Sequence, residues 1–147
     1  MNLVLILAYE LLAFAFISFW EAAIEGKYGG GGKNPKFYRI LGFKITKYHF
    51  WLWYVSIPLF IMFPSVVAGF TWKLFGALAT GAFLGGILED FLWFVVNPYY
   101  GLRRFNSKYV QWLKWVKIGK VEVPRFYFIN LLLAILFWLI FVYRSFL

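Results

Sequence analysis

Cysteine is absent from this 147-residue sequence, and histidine occurs only once. Without cysteine the chain cannot form disulfides, thiolate metal sites or a cysteine nucleophile. A single histidine also excludes histidine-rich membrane desaturase chemistry, and the sequence carries no signature of a protease, a P-loop, a kinase or a haem bundle. We therefore expect neither haem nor an iron–sulfur cluster.

Charged residues are also scarce. They make up 14% of the chain, whereas hydrophobic residues make up 63% and aromatic residues 25%. Soluble domains carry about 25% charged residues, so this composition predicts an integral membrane protein. The length leaves room for one integral-membrane domain over residues 1–147 and for no separate soluble domain.

Four apolar segments are each close to the roughly 20 residues that a helix needs to cross hydrocarbon. In lipid such segments must be helical, because every backbone polar group has to be satisfied internally. The sequence predicts an all-α, compact four-helix bundle with transmembrane helices over residues 2–24, 48–70, 74–96 and 126–143. The N-terminus lacks a charged region and a small-residue cleavage site, so we interpret the first segment as a retained span rather than a signal peptide.

Two finer features are expected in this bundle. Pro58 and Pro64 each remove a backbone donor, which predicts a kinked second helix. In the loop between the third and fourth segments, Tyr109, Trp112 and Trp115 would share one face of a helix and alternate with basic residues. That pattern favours a short helix lying in the membrane interface.

The basic residues indicate an orientation. All of the fifteen lysines and arginines except Lys73 and Arg144 lie in the two long loops. By the positive-inside rule both long loops are cytoplasmic and both termini lie outside. We expect the net charge of +9 to serve orientation and contact with membrane lipids, not nucleic acid.

Five of the six acidic residues lie inside or at the ends of the apolar segments: Glu10, Glu21, Glu25, Glu89 and Asp90. An acid such as Asp costs roughly 2.5–3.5 kcal/mol at the centre of a membrane helix. The first three fall on one face of the first helix. Glu89 continues a ridge of small residues at four-residue steps, whereas Asp90 lies about 100° away and must face a different neighbour.

The acids other than Glu10 are predicted to meet in one polar pocket that opens toward the cytoplasm. The first helix brings Glu21 and Glu25 to that depth, the second brings His49, and the third brings Glu89 or Asp90. We assign catalytic roles to Glu89, Asp90, His49 and Glu21, and substrate contacts to Glu25, Asn97, Arg103 and Arg104. The arginines follow the third helix, where they could bind a phosphate at the same leaflet.

Each of these residues also has a purely structural interpretation. Glu25 would sit at the interface where the first helix ends, and His49 would be one more interfacial aromatic. Asn97 would form the last polar turn before Pro98. Glu89 and Asp90 would belong to a hydrogen-bond or salt-bridge network.

The favoured functional hypothesis is a pocket that binds or modifies a lipid or an isoprenoid-type substrate. In one form a divalent metal ion is held by Glu21, Glu25, His49 and Glu89; in the other a carboxylate acts as a general base. One alternative is a small oligomeric transporter or channel that uses membrane carboxylates, including Glu10. Another is an accessory subunit of a larger membrane complex, and a homodimer is compatible with either alternative.

Overall fold

The computed structural model of the protein describes residues 2–146, and most of them are helical. Four helices are long and apolar enough to cross a membrane. We call them span 1 (Leu3–Glu25), span 2 (Lys47–Ala68), span 3 (Trp72–Val96) and span 4 (Arg125–Val142). The four-helix prediction is therefore confirmed, and the largest boundary differences are the end of span 2, predicted at 70, and the start of span 3, predicted at 74.

Short polar residues mark where the spans begin. The side chain of Asn2 accepts hydrogen bonds from the N–H groups of Val4 and Leu5, and Thr71 accepts one from Leu74. Such caps satisfy backbone donors that have no partner inside the helix. Local chemistry thus sets the start of spans 1 and 3.

Span 2 is not a regular α-helix over its whole length. It begins with the α-helical turn Lys47–His49, and the π-helical segment Phe50–Ser56 follows. The α-helix Ile57–Ala68 completes the span, with Pro58 in its first turn and Pro64 inside it. Proline lacks an N–H and its ring disturbs the preceding turn, which accounts for a wider turn just before Pro58. A bend of the helix axis at the prolines stays a prediction.

Each long loop contains an antiparallel β-hairpin that the sequence analysis did not predict. In the first hairpin β1 (Phe37–Ile40) pairs with β2 (Phe43–Thr46), and in the second β3 (Trp115–Ile118) pairs with β4 (Val121–Pro124). Both turns have two residues. Positive φ angles at Leu41 and Gly42 in the first turn and at Gly119 in the second are typical of the primed turns that join such strands.

The predicted interfacial helix in the second long loop is wrong. Residues 107–109 and 111–112 form turns, and Trp115 begins β3 instead of sharing a helical face with Tyr109 and Trp112. The Trp115 indole N–H donates to the carbonyl of Val110 over 2.8 Å, which closes the segment on itself. The strand forms because Trp115 and its neighbours pair with the apolar and acidic residues of β4.

The two halves of the chain share one order: a span, a loop, a hairpin and a second span. In the first half the Lys47 N–H donates to the carbonyl of Lys36 over 2.7 Å. In the second half the Arg125 N–H donates to the carbonyl of Lys114 over the same distance. Each hairpin is therefore closed onto the first residue of the next span, with no linker between strand and helix.

Spans 1 and 3 run side by side in the same direction. A Cβ atom added to Gly81 would overlap the Glu10 carboxyl, and one added to Gly85 would overlap the Phe14 ring. At the shared end the Asn97 amide donates to the carbonyl of Gly26 over 3.0 Å. The small-residue ridge of span 3 therefore lets span 1 approach closely, and both hairpins lie at the same end of the bundle.

Candidate functional site

A cavity of about 510 Å³ lies at the hairpin end of the bundle. Its titratable lining residues are Glu21, Glu25, Lys44, His49, Glu89 and Asp90. Thr46 and Asn130 add two more polar groups, and aromatic side chains that include Trp53, Trp93 and Trp112 form much of the remaining wall. The four acids and the histidine expected at one depth therefore all line one cavity.

His49 is held at both ring nitrogens. Its Nδ1 lies 2.6 Å from the hydroxyl oxygen of Thr46, and its Nε2 lies 3.2 Å from Glu25 Oε1. The same Thr46 oxygen accepts the backbone N–H of His49 over 3.1 Å, so Thr46 ends β2, caps span 2 and orients the ring at once. A histidine fixed in this way can pass a proton between its two sides.

Glu25 ends span 1 as a buried carboxyl group. Besides its contact with His49, its Oε1 accepts the N–H of Gly31 over 2.7 Å. Gly31 has a φ of +105°, which a residue with a side chain rarely adopts. The glycine run of the first loop therefore brings a backbone donor to Glu25.

Glu21 receives hydrogen bonds from span 2. The Tyr48 hydroxyl and the Trp53 indole N–H both donate to its Oε1, over 3.0 Å and 3.2 Å. The Glu89 carboxyl of span 3 lies within hydrogen-bonding reach of Glu21. A bond between two carboxyl groups requires a proton on one of them, because a carboxylate can only accept. Within residues 2–146, Glu89 Oε1 has no hydrogen-bond partner.

Asp90 turns toward span 4, away from the Glu21 and Glu89 pair. The Tyr127 hydroxyl donates to Asp90 Oδ2 over 2.7 Å. Glu89 and Asp90 thus meet different neighbours, as their spacing on the helix predicted, and both still line the cavity.

Tyr127 is the third residue after β4, just as His49 is the third residue after β2. The residues at these two equivalent positions each contact an acid that lines the cavity.

Three residues that the sequence assigned to substrate contact do not line the cavity. Asn97 is buried and joins the ends of spans 1 and 3, since it bonds Gly26 and accepts the N–H of Tyr99 over 3.0 Å. Arg103 and Arg104 lie on an exposed 3₁₀-helical turn, Leu102–Arg104. The basic residue at the cavity wall is Lys44 of β2 instead. Their position in the sequence places the two arginines at the depth of the cavity, but the turn after span 3 carries them away from the cavity wall.

Sequence reasoning also missed the donors that hold the acids: Thr46, Tyr48, Trp53 and Tyr127. Their signal in the sequence is weak because aromatic residues are common throughout the chain. The similar spacing of the segments "ITKYHF" and "VPRFYF", each at the end of a hairpin, was the one pattern that could have paired His49 with Tyr127.

The part of the chain covered by residues 2–146 contains no group of three or more histidine, aspartate or glutamate side chains arranged to hold a metal ion. The geometry of the four proposed ligands explains this. Glu21 Oε1 lies 3.9 Å from the His49 ring, and protein N–H and O–H groups already donate to the nearest oxygens of Glu21 and Glu25. Oε1 of Glu21 and Oε1 of Glu25 therefore already have protein donors.

The fold and the cavity define a class: a membrane-embedded protein of four spans with an acid-lined cavity at one end of the bundle. Comparison with known proteins adds no narrower assignment, since no family model, no curated protein and no solved structure matches this chain.

Proposed function

We propose that the protein binds a lipid or an isoprenoid-type molecule in the acid-lined cavity and changes it by proton transfer. The observation that carries this proposal is that Glu21, Glu25, His49, Glu89 and Asp90, from three spans, line one cavity with largely aromatic walls. Apolar walls with a few convergent polar groups are typical of small-molecule sites. An amphiphilic molecule would place its apolar part against the indoles and its reactive part near the acids.

The charges at the cavity favour a neutral or cationic reactive group. Four carboxyl groups line the cavity, against the basic side chain of Lys44 and the imidazole of His49. A phosphate would face this acidic wall without Arg103 or Arg104 beside it. A hydroxyl group, a double bond or a positively charged intermediate fits the site better, and the tryptophan rings would stabilise positive charge.

Two proton-handling groups lie next to each other in the cavity, since Glu21 Oε1 is 3.9 Å from His49 Nε2. In this proposal the pair formed by Glu21 and Glu89 supplies a proton, and the pair formed by His49 and Glu25 accepts one. Adding a proton at one position of the substrate and removing one at another leaves its composition unchanged. The proposed reaction is therefore an isomerisation or a cyclisation, which consumes no co-substrate.

The experiment is a deuterium-exchange assay on the purified protein in lipid nanodiscs. Isoprenoid and lipid fractions from the producing membrane are incubated with the protein in D₂O and analysed by mass spectrometry. We expect the wild type to introduce deuterium into one component, and both Glu89→Gln and His49→Gln to reduce the rate by at least about a hundredfold, the usual worth of a general acid or base. Arg103→Gln is the matched control, because it lies outside the cavity. Absence of exchange in every fraction, or exchange unchanged in both variants, would reject the proposal.

We also propose that both hairpins and this cavity face the cytoplasm, as the basic loops indicate. The cysteine-free chain makes this simple to test with a membrane-impermeant maleimide. Lys120→Cys in the second hairpin turn should be protected in intact cells, and Lys73→Cys in the first turn of span 3 should be labelled. The opposite labelling pattern would show that the hairpins and the cavity face away from the cytoplasm.

A further inference from the structure

A second cavity, of about 630 Å³, lies between spans 1 and 2. Its walls are apolar side chains of both spans, among them Leu5, Phe14, Ile57 and Phe60. Glu10 also lines it, and none of the described residues that line it is basic. The outer rim includes Leu5 and Phe60, which are 67% and 77% exposed, so the cavity opens toward the surrounding hydrocarbon.

Glu10 is the unusual group in this wall. The residue is only 6% exposed, and neither of its carboxyl oxygens has a hydrogen-bond partner within residues 2–146. Span 3 contacts it from behind at Gly81, which offers no side-chain donor. A buried carboxyl group without a partner is costly in hydrocarbon. Both oxygens are buried and one of them lies against Gly81, so a donor that enters through the cavity would meet the carboxyl group once the Glu10 side chain turns away from Gly81.

This site is separate from the acid-lined cavity. Phe14 lines the second cavity and Trp53 lines the first, and their rings stand between the two with centroids 6.0 Å apart. Glu10 and Glu21 are eleven residues apart on one helix, which is about 16 Å along its axis. A molecule bound at Glu10 therefore does not contact the proton-handling groups.

We propose that the second cavity binds an amphipathic amine, with its protonated nitrogen at Glu10 and its apolar body between spans 1 and 2. Charge complementarity selects this ligand class, because the one carboxyl group of the cavity is unpaired and no basic residue lines the wall. Aromatic side chains at the wall, such as Tyr9 and Phe63, add faces that attract a cation. A volume of this size suits a small-molecule ligand.

The test uses the full chain in nanodiscs with two radiolabelled probes that share a tail, dodecylammonium and dodecanol, and empty nanodiscs as the background. We expect saturable binding of dodecylammonium to the wild type and at least about tenfold weaker binding to Glu10→Gln, because a charge-assisted hydrogen bond is lost. Dodecanol should bind more weakly than the amine and respond little to this substitution. His49→Gln should leave amine binding unchanged, which separates this proposal from the proposed function.

A second pair of variants keeps the test decisive if Glu10→Gln does not fold. Ala13 is exposed and lines the cavity, so Ala13→Phe fills it without disturbing a buried contact. Leu12→Phe is the matched control, since Leu12 is 55% exposed and does not line the cavity. Loss of amine binding in Ala13→Phe alone supports the proposal. Equal affinity for amine and alcohol, amine binding retained in Glu10→Gln, or amine binding retained in Ala13→Phe would overturn it.

Discussion

The Tyr127 hydroxyl donates a hydrogen bond to Asp90 over 2.7 Å, and this bond joins span 4 to span 3 at the edge of the acid-lined cavity. It is the counterpart in the second half of the chain of the contact between His49 and Glu25 in the first half, where the distance is 3.2 Å. In both halves a residue three positions after a hairpin meets an acid that a span contributes. The bond should therefore contribute to the stability of the bundle.

Tyr127→Phe tests this contribution. Removing the hydroxyl leaves the Asp90 oxygen without its donor, so the free energy of unfolding should fall by about 1–3 kcal/mol. Reversible unfolding in mixed micelles, followed by tryptophan fluorescence, measures the change. Tyr143→Phe is the control, because Tyr143 is exposed near the end of span 4. Equal stability of the two variants would show that the bond contributes nothing.

Thr46→Val should change the state of His49. The substitution removes the hydroxyl that contacts His49 Nδ1 at 2.6 Å and that accepts the backbone N–H at 3.1 Å. Loss of the cap should cost about 1 kcal/mol of stability, and the tautomer balance of the ring should shift. Since His49 is the only histidine, ¹⁵N spectra of the ring show one residue. Thr46→Ser keeps the hydroxyl and should keep the wild-type spectrum; an unchanged spectrum in Thr46→Val would contradict the expectation.

Gly85→Ala should destabilise the contact between spans 1 and 3. A Cβ at this position would overlap the ring of Phe14, which is itself buried, so the helices must separate or the ring must move. Overpacking of this kind costs about 1–3 kcal/mol. Gly86→Ala is the neighbouring control, because the nearest atom to its added Cβ is Asn130 Nδ2 at 3.4 Å. In thermal unfolding, the midpoint temperature of Gly85→Ala should lie well below that of Gly86→Ala. A lower midpoint temperature for Gly86→Ala would contradict this packing.

The second hairpin should loosen in acid. The Ser107 N–H donates to Glu122 over 2.6 Å and the Lys117 ammonium lies 3.2 Å away, and together they hold the pKa of Glu122 below its ordinary value of 4.5. A lowered pKa in the folded state means that the stabilising contact is fully present above pH 4.5 and is lost as the pH falls through the folded pKa.

Hydrogen exchange at the Ser107 amide measures this effect. Its protection in the wild type should decrease as the pH falls below 4.5, after correction for the intrinsic exchange rate. Glu122→Gln should show weaker protection with no such pH dependence, because its side chain does not titrate. Protection in the wild type that does not change with pH would contradict the expected role of the carboxylate.

Some features of this fold follow directly from the sequence. Long, mainly apolar runs predict the spans, because hydrocarbon thickness sets a narrow length for a helix. Helix periodicity also separates Glu89 from Asp90, and the structure gives them different neighbours, Glu21 and Tyr127. Alternating chain direction was enough to bring the acids of spans 1 and 3 to the same depth as His49.

Other features depend on tertiary contacts that no local pattern specifies. The first hairpin cannot be recognised from the sequence, because Leu41 and not a glycine takes the positive φ at the first turn position. The second hairpin cannot be recognised either, because the spacing of Trp112 and Trp115 also fits one face of a helix. Depth along a span does not reveal which partner a polar side chain meets, so Asn97 seemed to face the substrate although it bonds the backbone of Gly26.

The hydrogen bonds of Glu21 have a consequence for how the chain enters the membrane. Its donors, Tyr48 and Trp53, belong to span 2, which is the next segment to emerge from the ribosome. Spans 1 and 2 can therefore leave the translocon as a pair with Glu21 already satisfied. Glu10 has to wait until Gly81 arrives with span 3, and Asp90 until Tyr127 arrives with span 4. The membrane acids are thus sheltered in the order in which their neighbouring spans are translated, so that Glu21 precedes Glu10.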